Sequence, residues 1–206
     1  VSEAYKLFLI FIGASIAYNI LLVRFYGLCP FFGVSRKVET SIGMSLAVAF
    51  VLTVATAVSW VVWNYLLTPF HVGEFLYIVS FILVIAALVQ LVEIVLKKSS
   101  PTLYKAMGIY LPLITTNCAI LATAIEGVKP GFFKLNLNYN YSFLEAVVFA
   151  VGMAVGFALA IIIFSGIRER LETAPLPPSL RGVPMVFIIA ALMSLAFAGF
   201  AGLLGL

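Results

Sequence analysis

The sequence predicts an all-α integral membrane protein, on three observations. Apolar residues make up 64% of the 206 and charged residues only 10%, where a soluble domain carries roughly 25% charge. Mean hydropathy is +1.20, Asp is absent, and all eight acids are Glu; a water-facing surface cannot be built from so few charges. Six charge-free stretches are of the length, roughly 20 residues, that a helix needs to cross about 30 Å of hydrocarbon, and none alternates like a barrel strand. Helices satisfy their own backbone hydrogen bonds in lipid, so the expectation is a single transmembrane domain, 1–206, with six spanning helices.

Taken in order, Leu7–Val23 lacks a basic leader and is long enough to span, so it reads as a helix rather than a signal peptide. Arg24–Ser35 is apolar but too short to cross, and Gly27, Pro30 and Gly33 punctuate it; it reads as a re-entrant segment or half-helix. Thr40–Phe70 and Phe75–Val92 are the second and third spans. Ser45, Thr53, Thr56 and Ser59 recur along the second and read as packing residues. Ser100 and Pro101 stand in N-cap and N1 order. The fourth span, Ala106–Ile125, is expected to break at Pro112 and holds Thr115-Thr116-Asn117 at depth; such breaks require protein or a cavity around the freed backbone. Ala146–Ile167 carries a small-xxx-small face at Gly152 and Gly156, and Gly182–Leu206 is the last span.

Alternating the loops across these spans puts Arg24, Arg36, Lys37, Lys97, Lys98, Lys105, Arg168, Arg170 and Arg181 on one side, and Lys6, Lys129 and Lys134 on the other. Basic residues gather in cytoplasmic loops, so both termini are expected on the non-cytoplasmic side.

The halves echo each other. Gly43-Met-Ser-Leu-Ala-Val-Ala-Phe50 is like Gly152-Met-Ala-Val-Gly-Phe157, and Ile85-Ala-Ala-Leu-Val-Gln-Leu91 is like Ile189-Ala-Ala-Leu-Met-Ser-Leu195. Each half also has one Cys in the irregular segment before the second helix of its triplet. An odd number of spans per unit inverts the second unit, giving inverted repeats of about 1–99 and 100–206. Such repeats place binding sites at mid-membrane on discontinuous helices, where Cys29 and Cys118 fall. A membrane Cys is often a small apolar filler, and a buried disulfide is another reading. Two thiolates do not complete a zinc or iron–sulfur shell. Yet both lie in helix breaks with small or polar neighbours (Gly27 and Pro30; Thr116 and Asn117), and a second polypeptide built alike would supply a missing pair.

Gly27-Leu-Cys-Pro-Phe-Phe-Gly-Val-Ser-Arg-Lys-Val-Glu-Thr40, Ser80-Phe-Ile-Leu-Val-Ile-Ala-Ala-Leu-Val-Gln90, Leu111-Pro-Leu-Ile-Thr-Thr-Asn-Cys-Ala119, Ile167-Arg-Glu-Arg-Leu171 and Leu180-Arg-Gly182 resemble the RnfA family. These are the paired six-helix membrane subunits of the Rnf complex, with relatives in the sodium-pumping NADH:quinone oxidoreductase. The resemblance covers nearly the whole chain. It implies a prokaryotic cytoplasmic or inner membrane and a homologous RnfE-like partner of opposite orientation. It implies one intramembrane [2Fe–2S] cluster to which Cys29 and Cys118 give half the ligands. It also implies a translocase that is not catalytic alone, in a complex that exchanges electrons between ferredoxin and NAD and moves Na⁺ or H⁺, with flavins and further clusters on other subunits. Gly27, Pro30, Thr116 and Asn117 are then the cluster's near neighbours, with backbone N–H groups, Asn117 and Thr116 as candidate donors to sulfur. The Gly127–Tyr141 loop looks longer than the family pattern. Alternatives are the corresponding quinone-reductase subunit, or an inverted-repeat transporter with incidental Cys.

Other intramembrane polar residues are candidates by default. Glu93 precedes Lys97 by one helical turn and reads as an ion pair. Asn19 is expected to bond across helices, toward the Cys29 segment, and Glu126 to close the fourth helix in a solvated interface. His71 reads as a surface residue of an outer loop. Arg168-Glu-Arg170, with Pro175, Pro177 and Pro178, reads as a basic cytoplasmic loop, docking a soluble partner or simply following the topology rule. No nucleotide-binding, zinc or Ser/His/Asp pattern appears with one His and no Asp, and dispersed basic residues exclude a nucleic-acid partner.

Overall fold

The computed structural model describes residues 3–68, 73–99, 111–128, 141–175, 177 and 182–203. They form helices α1 (Glu3–Ile12), α2 (Leu28–Val34), α3 (Val38–Val62), α4 (Gly73–Ser99), α5 (Leu111–Thr115), α6 (Cys118–Val128), α7 (Phe143–Glu172) and α8 (Val183–Leu203), and no strand occurs among the described residues. Among the described residues, three helical stretches are long and apolar enough to cross a membrane: Val38–Leu67, Leu76–Ile94 and Phe143–Glu172. Pro112–Val128 and Val183–Gly199 are shorter apolar stretches.

Two helices end in a wide turn. After α1, Gly13–Ala17 closes with Tyr18 N–H on Gly13 O at 2.8 Å; after α3, Trp63–Leu67 closes with Thr68 N–H on Trp63 O at 3.0 Å. Such i→i+5 turns gather where a helix is about to be re-aimed. The first helical stretch therefore stops near Ala17, short of the expected Val23, and the reason is Asn19. Its Oδ1 accepts from the N–H groups of Leu21 (3.1 Å) and Leu22 (3.2 Å), while its Nδ2 donates to Gly156 O on α7 at 2.8 Å. A side chain that binds nearby backbone competes with the helix's own ladder. Ser194 of α8 adds a hydroxyl to Leu22 O at 2.8 Å. The freed backbone is thus covered by two other helices, as a break at membrane depth requires. Asn19 does bond across helices, but to α7 rather than to the Cys29 segment.

The most extensive packing is α3 on α7, followed by α3 on α6, with α1 and its wide turn seated on α7. Glycine makes the last contact possible. A Cβ on Gly156 would stand 2.5 Å from Ser15 O, and one on Gly152 would stand 2.9 Å from Phe11 O. The small-residue face read from the sequence is therefore where α1 approaches α7. Phe157, Phe164, Ile161 and Phe31 lie in the main apolar core. Ser45, Thr53 and Thr56 return their hydroxyls to carbonyls of their own helix, consistent with packing roles.

Several expectations need correction. Glu126 is only 5% exposed in α6, not solvated, and lies within electrostatic reach of Arg24. Tyr141 is buried beside Glu126: burial first, then the carboxylates of Glu126 and Glu145, push its phenol above the ordinary range. Arg168-Glu-Arg170 is not a loop but the end of α7, which runs to Glu172. Its start is a capping box of Ser142 and Glu145. Pro112 lies in α5, and the described break falls after it, at Thr116–Asn117. Ser100, Pro101, Lys105, His71, Lys129, Lys134, Arg181 and most of the 127–141 loop lie outside the described residues.

Candidate functional site

Each cysteine stands in the first turn of a half-helix. Cys29 is the second residue of α2, and Cys118 is the first of α6. The local sequence explains both starts. Gly27 precedes α2 with φ +81°, a left-handed backbone that costs an L side chain roughly 1–2 kcal/mol. The space is closed as well: a Cβ there would lie 3.1 Å from Ala119 Cβ, 3.2 Å from Asn117 Oδ1 and 3.2 Å from Phe157 Cε2. Asn117 opens α6 by accepting the Ala119 N–H on Oδ1 at 3.0 Å, the usual use of an N-cap amide.

The two breaks meet. Gly27 N–H donates to Cys118 Sγ at 3.0 Å, across 91 residues of sequence. This bond ties the residue that opens the Cys29 helix to the sulfur that opens the other. Both thiols are free and both are exposed on the isolated chain, while Pro30 and Asn117 behind them are buried. Asn117 is 4% exposed, and its Nδ2 has no hydrogen-bond partner among the described residues. Thr116 sends its proton to Pro112 O at 2.8 Å rather than to a sulfur. Glu93, half-buried within α4, belongs to a different part of the chain.

Chemically, the pair offers two soft ligands and a backbone donor already aimed at one of them, which suits an iron–sulfur group whose sulfurs take N–H bonds. Among the described residues, no three His, Cys, Asp or Glu side chains could hold a metal. Any four-ligand centre on this pair draws its remaining ligands from elsewhere.

Residues 7–204 match the family described as "Rnf-Nqr subunit, membrane protein". The chain belongs to the Rnf-Nqr family. It is 53% identical over 198 residues to a subunit of the ion-translocating oxidoreductase complex of Syntrophotalea carbinolica, covering 96% of this chain and 97% of that one. It is 50% identical over 197 residues to a subunit of the Na(+)-translocating ferredoxin:NAD(+) oxidoreductase complex of Acetobacterium woodii, covering 96% and 97%. The corresponding polypeptide of the ion-translocating oxidoreductase complex of Vibrio vulnificus is 50% identical over 195 residues, covering 95% and 96%. All three are RnfA-type chains.

In this Rnf-Nqr chain the sequence reading found the two cysteines, their helix breaks and the glycine before α2. It named backbone N–H groups at the breaks as donors to sulfur, and Gly27 N–H is the one found on Cys118 Sγ. It missed Arg168, which donates through Nη1 to Phe32 O (3.1 Å) and to Ser35 Oγ (2.8 Å). The signal available for Arg168 was only its place at a helix end, which topology alone explains equally well.

Proposed function

We propose that this chain is a membrane subunit of an Rnf-type ion-translocating oxidoreductase, not catalytic alone, in which Cys29 and Cys118 supply half the ligands of a [2Fe–2S] cluster. The observation that carries the reading is the Gly27 N–H···Sγ Cys118 bond, which joins the helix starts of two exposed thiols. The other two thiolates come from a homologous RnfE-like partner of opposite orientation, apposed to them. Flavin and further iron–sulfur subunits complete the electron path. The name of the Acetobacterium relative favours the ferredoxin-linked complex over the quinone reductase.

The architecture proposed with it is one domain of two inverted units, 1–99 and 100–206, with six crossings. Two findings support it: the two breaks touch, and α3 and α7, the second helices of each unit, make the largest contact. The excess of nine basic residues over three in the alternating loops supports termini on the non-cytoplasmic side.

When bound, a [2Fe–2S] group supplies a one-electron site between the two membrane faces. The chain's own contribution is to hold two thiolates at helix starts and to direct N–H groups toward them. Gly27 does so already for Cys118. Asn117 Nδ2, beside Cys118 in sequence, is a buried donor without a partner among the described residues. A hydrogen bond to sulfur favours the more negative, reduced cluster and raises its potential. Asn117→Ala in the assembled complex is expected to lower the midpoint potential with iron content unchanged, as read by redox titration of the EPR signal. An unmoved potential removes Asn117 from this role.

The test of the whole reading is iron and acid-labile sulfide on the purified pair of membrane subunits. Two of each per pair is the expected result; a pair that transfers electrons without either overturns it.

A further inference from the structure

A seven-residue helix leaves its last carbonyls without intrahelical donors, and α2 (Leu28–Val34) is that short. Three outside groups meet them. Ser35 Oγ donates to Phe31 O, Thr40 Oγ1 to Val34 O at 3.2 Å, and Arg168 Nη1 to Phe32 O at 3.1 Å. The guanidinium also donates to Ser35 Oγ at 2.8 Å, so it holds the same terminus twice. A cation at a helix C-terminus is favoured by the aligned peptide dipoles.

The same side chain is braced from behind. Phe164 lies one turn before Arg168 on α7, with Arg168 Cζ 5.8 Å from its ring centre. Phe164 stacks on Phe31 of α2 at 4.0 Å and 21°, and both rings are fully buried. Across α2, Phe32 packs against Phe187 of α8 at 4.9 Å. At its other end, Gly27 N–H is fastened to Cys118 Sγ. The helix that carries Cys29 is therefore clamped at both ends, and only the C-terminal clamp uses a charged group.

We propose that Arg168 is a positioning residue for Cys29: it acts through α2, fixing where that thiolate stands and placing a positive charge at the far end of its helix. This rests on Cys29 being a cluster ligand. The redox direction follows from charge. A cation at the C-terminal end stabilises the extra electron of a reduced cluster, so its loss moves the potential down. Freeing one end of α2 also lets Cys29 shift, which alters the electronic asymmetry of the cluster.

The experiment uses the intact complex with Arg168→Gln, Arg168→Lys and Ser35→Ala, reading iron content, EPR g-values, midpoint potential and electron-transfer rate. Arg168→Gln is expected to lower the potential, change the g-values and slow transfer roughly tenfold, the lower end for groups that orient ligands. Arg168→Lys, which keeps the charge and one donor group, is expected to restore most of the potential. Normal g-values and potential in Arg168→Gln overturn the proposal, as does reduced assembly in which the surviving complex has an unmoved signal. So does a lysine variant no better than glutamine. If glutamine prevents assembly, Ser35→Ala decides the matter, since it removes one anchor and leaves α7 intact: a smaller change of the same sign supports the proposal, and none overturns it. A complex whose cluster signal survives Cys29→Ser would instead overturn the parent reading, independently of any Arg168 result.

Discussion

Replacing either Cys29 or Cys118 by Ser in the assembled complex is expected to abolish the [2Fe–2S] EPR signal and to cut electron transfer by more than about 100-fold, past the 10–100-fold typical of groups that only orient ligands. Iron–sulfur clusters are held by thiolates, and a ligand has to be deprotonated to bind. A serine hydroxyl in an apolar site keeps its proton. As proposed co-ligands the two cysteines act as one unit, so each single variant should lose as much as the double, a non-additivity common to groups that work together. The measurement is EPR and turnover on purified complex whose subunit composition is checked first. A serine variant that assembles, keeps its signal and turns over normally would return the cysteines to the status of packing residues.

The second large effect is on the fold. Gly156→Ala is expected to destabilise the chain by about 3 kcal/mol, combining overpacking against fixed neighbours with disturbance of a buried amide bond. The added methyl would meet Ser15 O at 2.5 Å, and Ser15 C and Cα at 3.2 Å. All three are backbone atoms, so no rotamer change relieves the clash. The same peptide unit receives the Asn19 Nδ2 bond that holds the break after α1. Gly166→Ala in the same helix is the control. A Cβ there meets nothing within 4 Å, and removing a helical glycine gains roughly 0.5–1 kcal/mol. Opposite shifts of the apparent thermal midpoint in detergent are the expected outcome; equal shifts would mean that the wide turn after α1 does not seat on α7 at this point.

These two sites also mark what could be read from the residues alone. Class, helix order and the small-residue face at Gly152 and Gly156 were legible, because composition, length and i,i+4 spacing are one-dimensional signals. Cys29 and Cys118 were legible as a pair through their glycine, proline and polar neighbours. The end of the first helix was not, because the stretch stays free of charge to Val23 while a single amide, Asn19, diverts the backbone. Glu126 looked like an interfacial residue by position, and only packing against other helices buries it. Arg168 looked like one more loop cation because its partners, Phe32 and Ser35, are 136 and 133 residues away, a distance that no periodicity spans.

The two sulfurs that face outward from the lone chain bear on how such a complex is made. Until a companion polypeptide covers that face, the chain carries two accessible thiols open to oxidation. On the proposed reading, metal loading is tied to pairing, and the order of biogenesis follows: insertion first, dimerisation next, cofactor delivery last or together with it.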